Sequence, residues 1–264
     1  DAHDGDHIQM KAVISIRDMK KSFGSQVVLD GVSLDVDEGS IFAIIGQSGC
    51  GKSVLIKGVI GMIPPDSGRV WFRDTELTAL SPDGLLAMRR RFGYAFQNAA
   101  LFDSMDVGEN IAFPLREVLG IKDKREIKRR VARMLEWIEL PGIEAKRVDE
   151  LSGGMRKRVG FARTLVMEPD VLFFDEPTTG LDPVLAETIN SLVLRVNREL
   201  KVTCILITHD IPASFRMASS IAFLHQGKIV ASGDAAAISA SDHPMVRDFL
   251  RIAFTDVGGK DGGI

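Results

Sequence analysis

A chain of 264 residues with 45% hydrophobic residues can bury a substantial core, as one large domain or two small ones. Its formal net charge of −3 supplies no global basic field, which argues against nucleic acid as a partner. Cys50 and Cys204 are the only cysteines and no CxxC or Cys/His cluster surrounds them, which fits a reducing cytosol and predicts no cysteine-based metal site.

The segment Asp1 to Gln9 has no basic flank and no apolar core, so it is expected to be a loose polar end rather than a signal peptide. "AVISI", "QVVLDGVSLDV" and "SIFAII" follow as strands separated by Gly, Asp and Ser turn signals. "VLIKGVIGMI" has helical spacing and is expected to run until Pro64-Pro65 stops it. Ser81-Pro82-Asp83 predicts an N-cap with proline in the first helical turn, and "FGYAF" a strand ending at Gln97. From about Asp106 to Glu150 the pattern turns helical: Asp106 and Glu109 are spaced as a capping box, and Ile127, Val131, Met134, Leu135 and Ile138 share one face. The opposite face, "KDKREIKRRVAR", reads as a solvated surface or as a surface for anionic lipid or a partner. Beyond it come a helix through Arg163, strand "VLFFD", a helix from Asp182-Pro183, strand "VTCILIT", a helix after Ile211, and strands "SIAFLH" and "KIVASG". This alternation predicts a mainly parallel, helix-covered sheet. A short helix "PMVRDFLRIAF" and a mobile glycine-rich end, "VGGKDGGI", complete the chain. No apolar run approaches the roughly 20 residues needed to cross a bilayer as a helix.

"GQSGCGKS", Gly46 to Ser53, sits between a predicted strand and a predicted helix. Gly46, Gly49 and Gly51 let successive N–H groups turn toward a phosphate, Lys52 would reach the β- and γ-phosphates, and Ser53 would ligate Mg²⁺. The nucleotide-contacting stretch is accordingly expected to comprise Gly46, Gln47, Ser48, Gly49, Cys50, Gly51, Lys52, Ser53 and Val54. At the end of "VLFFDEP", Asp175 would hold the metal and Glu176 would act as the base that polarises the attacking water. Alone, such a pair reads as a turn or cap; the phosphate loop makes it catalytic. His209 closes another strand and is either a structural hydrogen-bonder or a γ-phosphate ligand that orients Glu176. Gln97 is either a turn residue or a ligand of Mg²⁺ or the lytic water. Phe23 either stacks on adenine or packs in the core. Leu101, Phe102 and Met105 either dock a membrane-protein helix or pack beneath the helical insertion.

A second serine-glycine stretch, "LSGGM" from Leu151, remains. Taken in order, "GQSGCGKS", Gln97, "LSGGM", "VLFFDEP", "TGLD" and His209 resemble the ATP-binding-cassette (ABC) ATPase family over nearly the whole chain, from about Val13 to Gly233. The resemblance implies an α/β P-loop NTPase fold with a RecA-like core sheet, an N-terminal antiparallel β region and an inserted helical subdomain. The boundaries expected are a flexible 1–9, an ATPase domain 10–233 (lobe 10–97 and 159–233, insertion 98–158) and a helix and tail 234–264. It also implies two cassettes facing head to tail as a homodimer, with Ser152, Gly153 and Gly154 binding the γ-phosphate of the neighbour's ATP and Asp182 signalling across the interface. "GKSVLIK", "MRKRVGFARTL" and "DHPMVRDFL" further resemble the lipid-transport branch, the Mla and Mce-associated ATPases of bacterial envelopes. That branch implies ATP and Mg²⁺ as cofactors, an MlaE-type permease, a periplasmic Mce/MlaD-type lipid-binding protein and a STAS-domain (MlaB-type) protein. It also implies a location on the cytoplasmic face of the bacterial inner membrane. A solute importer of the amino-acid type, and a soluble cassette acting on DNA or the ribosome, are the other classes; the long coiled-coil insertion or second cassette of the soluble type is absent from the sequence.

Overall fold

The computed structural model describes residues 12–258, with side chains through residue 254. The expectations for residues 1–9 and for the end of the glycine-rich tail therefore lie outside the described residues. In chain order the elements are β1 (Ala12–Phe23), β2 (Gln26–Asp37), β3 (Ile41–Ile45), α1 (Lys52–Val59), β4 (Ser67–Phe72), β5 (Thr75–Glu76), α2 (Pro82–Arg89) and β6 (Phe92–Ala95). Then follow α3 (Val107–Glu117), α4 (Lys124–Trp137), α5 (Gly153–Leu165), β7 (Val171–Asp175), α6 (Pro183–Leu200), β8 (Thr203–Ile207), α7 (Ile211–Met217), β9 (Ser220–His225), β10 (Lys228–Gly233), α8 (Ala235–Ser239) and α9 (Pro244–Gly258).

The strands form two sheets, an antiparallel one in the order β2-β1-β4-β5 and a six-stranded one in the order β10-β9-β3-β8-β7-β6. All pairs in the larger sheet are parallel except β9 with β10. Side chains alternate between its faces. Val171 and Phe173 of β7, with Ile205 and Ile207 of β8, join the core beneath β1, β2 and α1. Leu172 and Phe174, with Cys204 and Leu206, join the core formed by α3 to α6. Strands buried on both faces read as continuous apolar runs, which is why "VLFF" and "CILI" are so hydrophobic.

Local signals explain the helix boundaries. The Asp106–Glu109 capping box is formed, Ser81 accepts from Gly84 N–H, and Val131, Met134, Leu135 and Ile138 are buried along one face of α4. Three expectations need correction. Helix α1 stops at Val59, short of the prolines, because Gly61 takes a left-handed conformation and Met62 N–H turns back to Lys57 C=O. Strand β6 stops at Ala95, because Ala99 and Ala100 both adopt positive φ and turn the chain, so Gln97 lies in a loop. Helix α9 runs on to Gly258, beyond the "PMVRDFLRIAF" segment.

Asp170 fastens the larger sheet to the smaller one at the start of β7. Its carboxylate accepts from Arg91 and, at 3.2 Å, from Arg73, which also pairs with Glu38. Burial alone would raise its pKa, but the Arg91 hydrogen bond and the two guanidinium charges outweigh that and hold the carboxyl below its ordinary value. A depressed folded-state pKa contributes stability above the unfolded value of about 4 and loses it as pH falls through the folded value. Asp170→Asn should thus lower the thermal midpoint at pH 7, by about 2–4 °C for each kcal/mol lost. The gap between the two proteins should close in acid, and an equal gap at every pH would refute the charge argument.

Candidate functional site

Four parallel strands, β3, β8, β7 and β6, lie side by side, and the segments leaving their C-terminal ends carry the residues singled out in the sequence. Open α/β sheets bind ligands beyond this edge. The chain leaves β3 into the loop from Gly46, β8 into His209, β7 into Asp175–Glu176 and β6 into Gln97. Together they line a cleft of about 470 Å³, which also takes in Phe23, Ser48, Gly49, Gly51, Lys52, Ser53, Val54 and Thr179.

The loop is shaped by backbone that only glycine supplies cheaply. Gly46 has φ 151° and a Cβ there would collide with the Leu224 carbonyl; Gly51 has φ 109° and a Cβ would lie 2.9 Å from the Val28 carbonyl oxygen. Gly51 then starts α1, whose first N–H groups open toward the cleft. Lys52 is buried, and its ammonium donates to the carbonyls of Gly46 at 2.8 Å and Gln47 at 3.0 Å, which aims it along the loop. Cys50 is half-buried, and its burial pushes the thiol pKa up, so it is no thiolate.

Ser53 Oγ donates to Asp175 Oδ1 at 3.0 Å. Tyr94 on β6 donates to Asp175 Oδ2 at 2.7 Å, and burial followed by the adjacent carboxylate raises its pKa, so it stays a proton donor. Two oxygens from separate elements facing one cleft are the hard donors that a divalent cation such as Mg²⁺ would take. The residues fit that ion.

Glu176 is held on several sides. Its backbone has φ 51°, a left-handed conformation unusual for a glutamate, and its N–H donates to Ile207 C=O at 2.9 Å. Its Oε2 accepts from Thr179 Oγ1 at 3.1 Å and is 2.8 Å from His209 Nδ1. The carboxylate side chain is 16% exposed while the imidazole is 63% exposed, so the carboxylate is sheltered and its partner faces the cleft. Phe23 is exposed at the rim, with Lys21 5.5 Å from its ring, so it does not pack in the core.

The remaining residues lie elsewhere. Ser152, Gly153 and Gly154 do not line the cleft: Ser152 caps α5 by accepting from Met155 N–H at 3.3 Å, and Gly153 has open space around it. Asp182 caps α6, accepting from Val184 and Leu185 N–H at 3.0 Å. Leu101 packs on the core of the helical layer, while Phe102 is exposed beside Phe113, ring centroids 4.8 Å apart. Sequence reasoning missed Tyr94 and Thr179, which touch Asp175 and Glu176. Tyr94 faces Phe173, two residues before Asp175, in register on the neighbouring strand, a pairing that only the folded sheet establishes. Thr179 is a side-chain contact across a turn that no periodicity announces.

Comparison with known proteins agrees with this geometry. Residues 29–179 match the ABC transporter family. The chain is 37% identical over 238 residues to the intermembrane phospholipid transport system ATP-binding protein MlaF of Escherichia coli K12, covering 90% of this chain and 88% of that one. It is also 37% identical to a probable ribonucleotide transport ATP-binding protein of Mycobacterium leprae (91% and 69% covered), and 39% identical to the methionine import ATP-binding protein MetN of Caulobacter vibrioides (95% and 76%). Among solved structures it resembles an ABC transporter component from Clostridium perfringens, with TM-score 0.80 at 28% identity over 94% of this chain and 98% of that one. It also resembles a dimeric ATP-binding cassette in a post-hydrolysis state with ADP and phosphate, with TM-score 0.76 at 27% identity over 84% and 98%. With the phosphate loop, the acidic pair and the signature segment all in place, this chain belongs to the ABC transporter family as an ATP-binding, ATP-hydrolysing subunit.

Proposed function

We propose that the chain is the motor of a bacterial envelope transporter that moves phospholipid, working as a homodimer on the cytoplasmic face of the inner membrane. The observation that carries this reading is the match to MlaF, which spans 90% of this chain and 88% of that protein's length. The implied partners are an MlaE-type permease, a periplasmic Mce/MlaD-type lipid-binding protein and an MlaB-type STAS protein. The similarity to MetN supports a second reading, a solute importer. No helix among the described residues is long and apolar enough to cross a membrane.

The roles follow the geometry. Mg²⁺ on Ser53, Asp175 and Gln97 would supply charge neutralisation at the phosphates. Lys52 binds the terminal phosphates, Glu176 takes the proton from the attacking water, and His209 holds Glu176 while bonding the γ-phosphate. Ser152, Gly153 and Gly154 complete the site of the neighbouring cassette, and Asp182 sits at that interface. The segment 98–158 is the helical subdomain between the two parts of the ATPase lobe, and it carries the permease contact. A groove of about 420 Å³ runs beside Phe96, Phe102, Phe113 and Val118, reached from Gln97 by a tight turn, and Phe102 is 41% exposed within it. Exposed aromatics around a groove mark a docking surface for an apolar helix.

Purification of the tagged chain from detergent-solubilised membranes, with analysis of the co-purifying protein and lipid, tests this. An integral membrane protein carrying bound phospholipid is the expected result; a permease with a solute-binding protein and no lipid favours the importer. Phe102→Glu should lose that co-purification while ATP binding by the isolated chain is retained. A complex that survives the substitution counts against the groove.

A further inference from the structure

Ser152 caps helix α5, which presents Lys157 about one turn further on, where its ammonium donates to the carbonyls of Pro177 at 2.8 Å and Thr179 at 2.6 Å. These two carbonyls flank Thr178, in the turn immediately after Glu176. The turn has only long backbone bonds of its own: Thr179 N–H to Glu176 C=O at 3.3 Å and Leu181 N–H to Thr178 C=O at 3.2 Å. Thr179 also donates its hydroxyl to Glu176 Oε2. A continuous path of contacts thus runs from the signature serine, along α5, through Lys157 and Thr179, to the candidate base of the same chain.

The helix is anchored well enough to act as a rod. A Cβ at Gly154 would meet Leu185 of α6 at 3.1 Å, so the two helices approach closely there. At its other end Arg163 donates to the carbonyls of Ala99 and Ala100, both at 2.8 Å, just beyond Gln97. Apolar packing would hold α5 without an ammonium at position 157. A desolvated lysine aimed at two carbonyls instead fixes a loop whose own bonds are weak. Burial lowers the Lys157 pKa and the nearby Glu176 charge opposes that shift, so the cation and the carboxylate also sense each other.

We propose that Lys157 is a positioning residue that ties the two half-sites of one chain together. It locks the Glu176–Thr179 turn to the helix whose N-terminus serves the neighbour's nucleotide. When α5 docks on the neighbour's γ-phosphate, the turn moves with it, and Glu176 is aimed in its own site. Firing in one site thereby depends on closure of the other. This rests on the shared-site reading given above.

Steady-state hydrolysis by the full chain across ATP concentrations tests the proposal, with nucleotide affinity measured separately by calorimetry. Lys157→Met should lower kcat by roughly ten- to a hundredfold, the scale expected when a reacting group is misplaced by about 1 Å. ATP affinity of the monomer should be unchanged and the Hill coefficient should fall toward one, while Lys157→Arg, which can still donate to both carbonyls, should restore most of both. If the Met variant melts early, Lys157→Gln carries the test below its midpoint, since its amide still reaches one carbonyl and should give an intermediate kcat. Unchanged kcat and Hill coefficient in the Met variant overturn the proposal. So does a loss in kcat that Arg fails to restore, because that marks a merely structural lysine. A wild-type protein with a Hill coefficient of one and no ATP-driven dimer instead sinks the shared-site reading on which the proposal stands.

Discussion

Glu176→Gln should bind ATP as tightly as the wild type and hydrolyse it at least a hundredfold more slowly, the usual scale for removing a general base. The amide has the size and shape of the carboxylate and can still accept from Thr179 and His209, so the turn should survive. What it loses is the capacity to take a proton from water. Nothing else in the cleft can substitute. Asp175 is engaged by Ser53 and Tyr94, and the His209 imidazole is committed through Nδ1 to Glu176 itself. The variant should accumulate as an ATP-bound dimer on size exclusion, because the γ-phosphate that joins two chains is never released. Lys52 acts earlier, at binding, so its removal should produce a monomer that fails to retain nucleotide. Turnover near the wild-type rate in the Gln variant would remove Glu176 from the role of base and leave Asp175 as the other acidic side chain among the described residues that line the cleft.

Much of this arrangement was legible in the sequence because two kinds of signal are local. Strands buried on both faces must be apolar throughout, so "VLFF" and "CILI" declared themselves, and a polar residue at the end of such a strand has little reason to be there except function. Caps are equally local: Ser81, Asp106 and Asp182 each cap the helix their spacing indicates. Other features depend on partners distant in sequence. Strand β4 was not recognised because its apolar run, Val70 to Phe72, is only three residues long and is flanked by Arg69 and Arg73, of which Arg73, just past its end, pairs with Glu38 and with Asp170 nearly a hundred residues away. The left-handed Ala99 and Ala100 that pull Gln97 off β6 have no glycine to announce them; Arg163 of α5, more than sixty residues on, binds their carbonyls. Thr179 and Lys157 likewise have meaning only once α5 is packed against the turn that follows β7.

The geometry of α5 leads to the second large effect. Ser152 caps that helix and stays outside the cleft lined by Lys52, so one chain carries a phosphate loop and a signature that cannot serve the same nucleotide as they stand. Ser152→Glu should leave ATP binding by the isolated chain nearly intact, because no atom of the cleft changes. It should abolish ATP-driven association, since a carboxylate would face the neighbour's γ-phosphate, and hydrolysis should fall by at least a hundredfold with the loss of those donors. The cap itself is worth about 1 kcal/mol, so the thermal midpoint should move only by a few degrees and the protein should remain folded. Mixing this variant with Lys52→Ala gives the decisive measurement. In a mixed dimer, the intact phosphate loop of the Ser152 variant meets the intact signature of the Lys52 variant, and both defects fall in the other site. One of the two sites is rebuilt, so ATP-dependent dimers should form in the mixture although neither protein forms them alone. Their turnover reports a separate property: hydrolysis at about half the wild-type rate means that the sites fire independently, whereas silence means that each waits for the other. If the mixture forms no dimers, or if Ser152→Glu weakens ATP binding to the monomer as Lys52→Ala does, the signature acts within its own chain. The helix that carries it must then swing toward the cleft rather than across an interface.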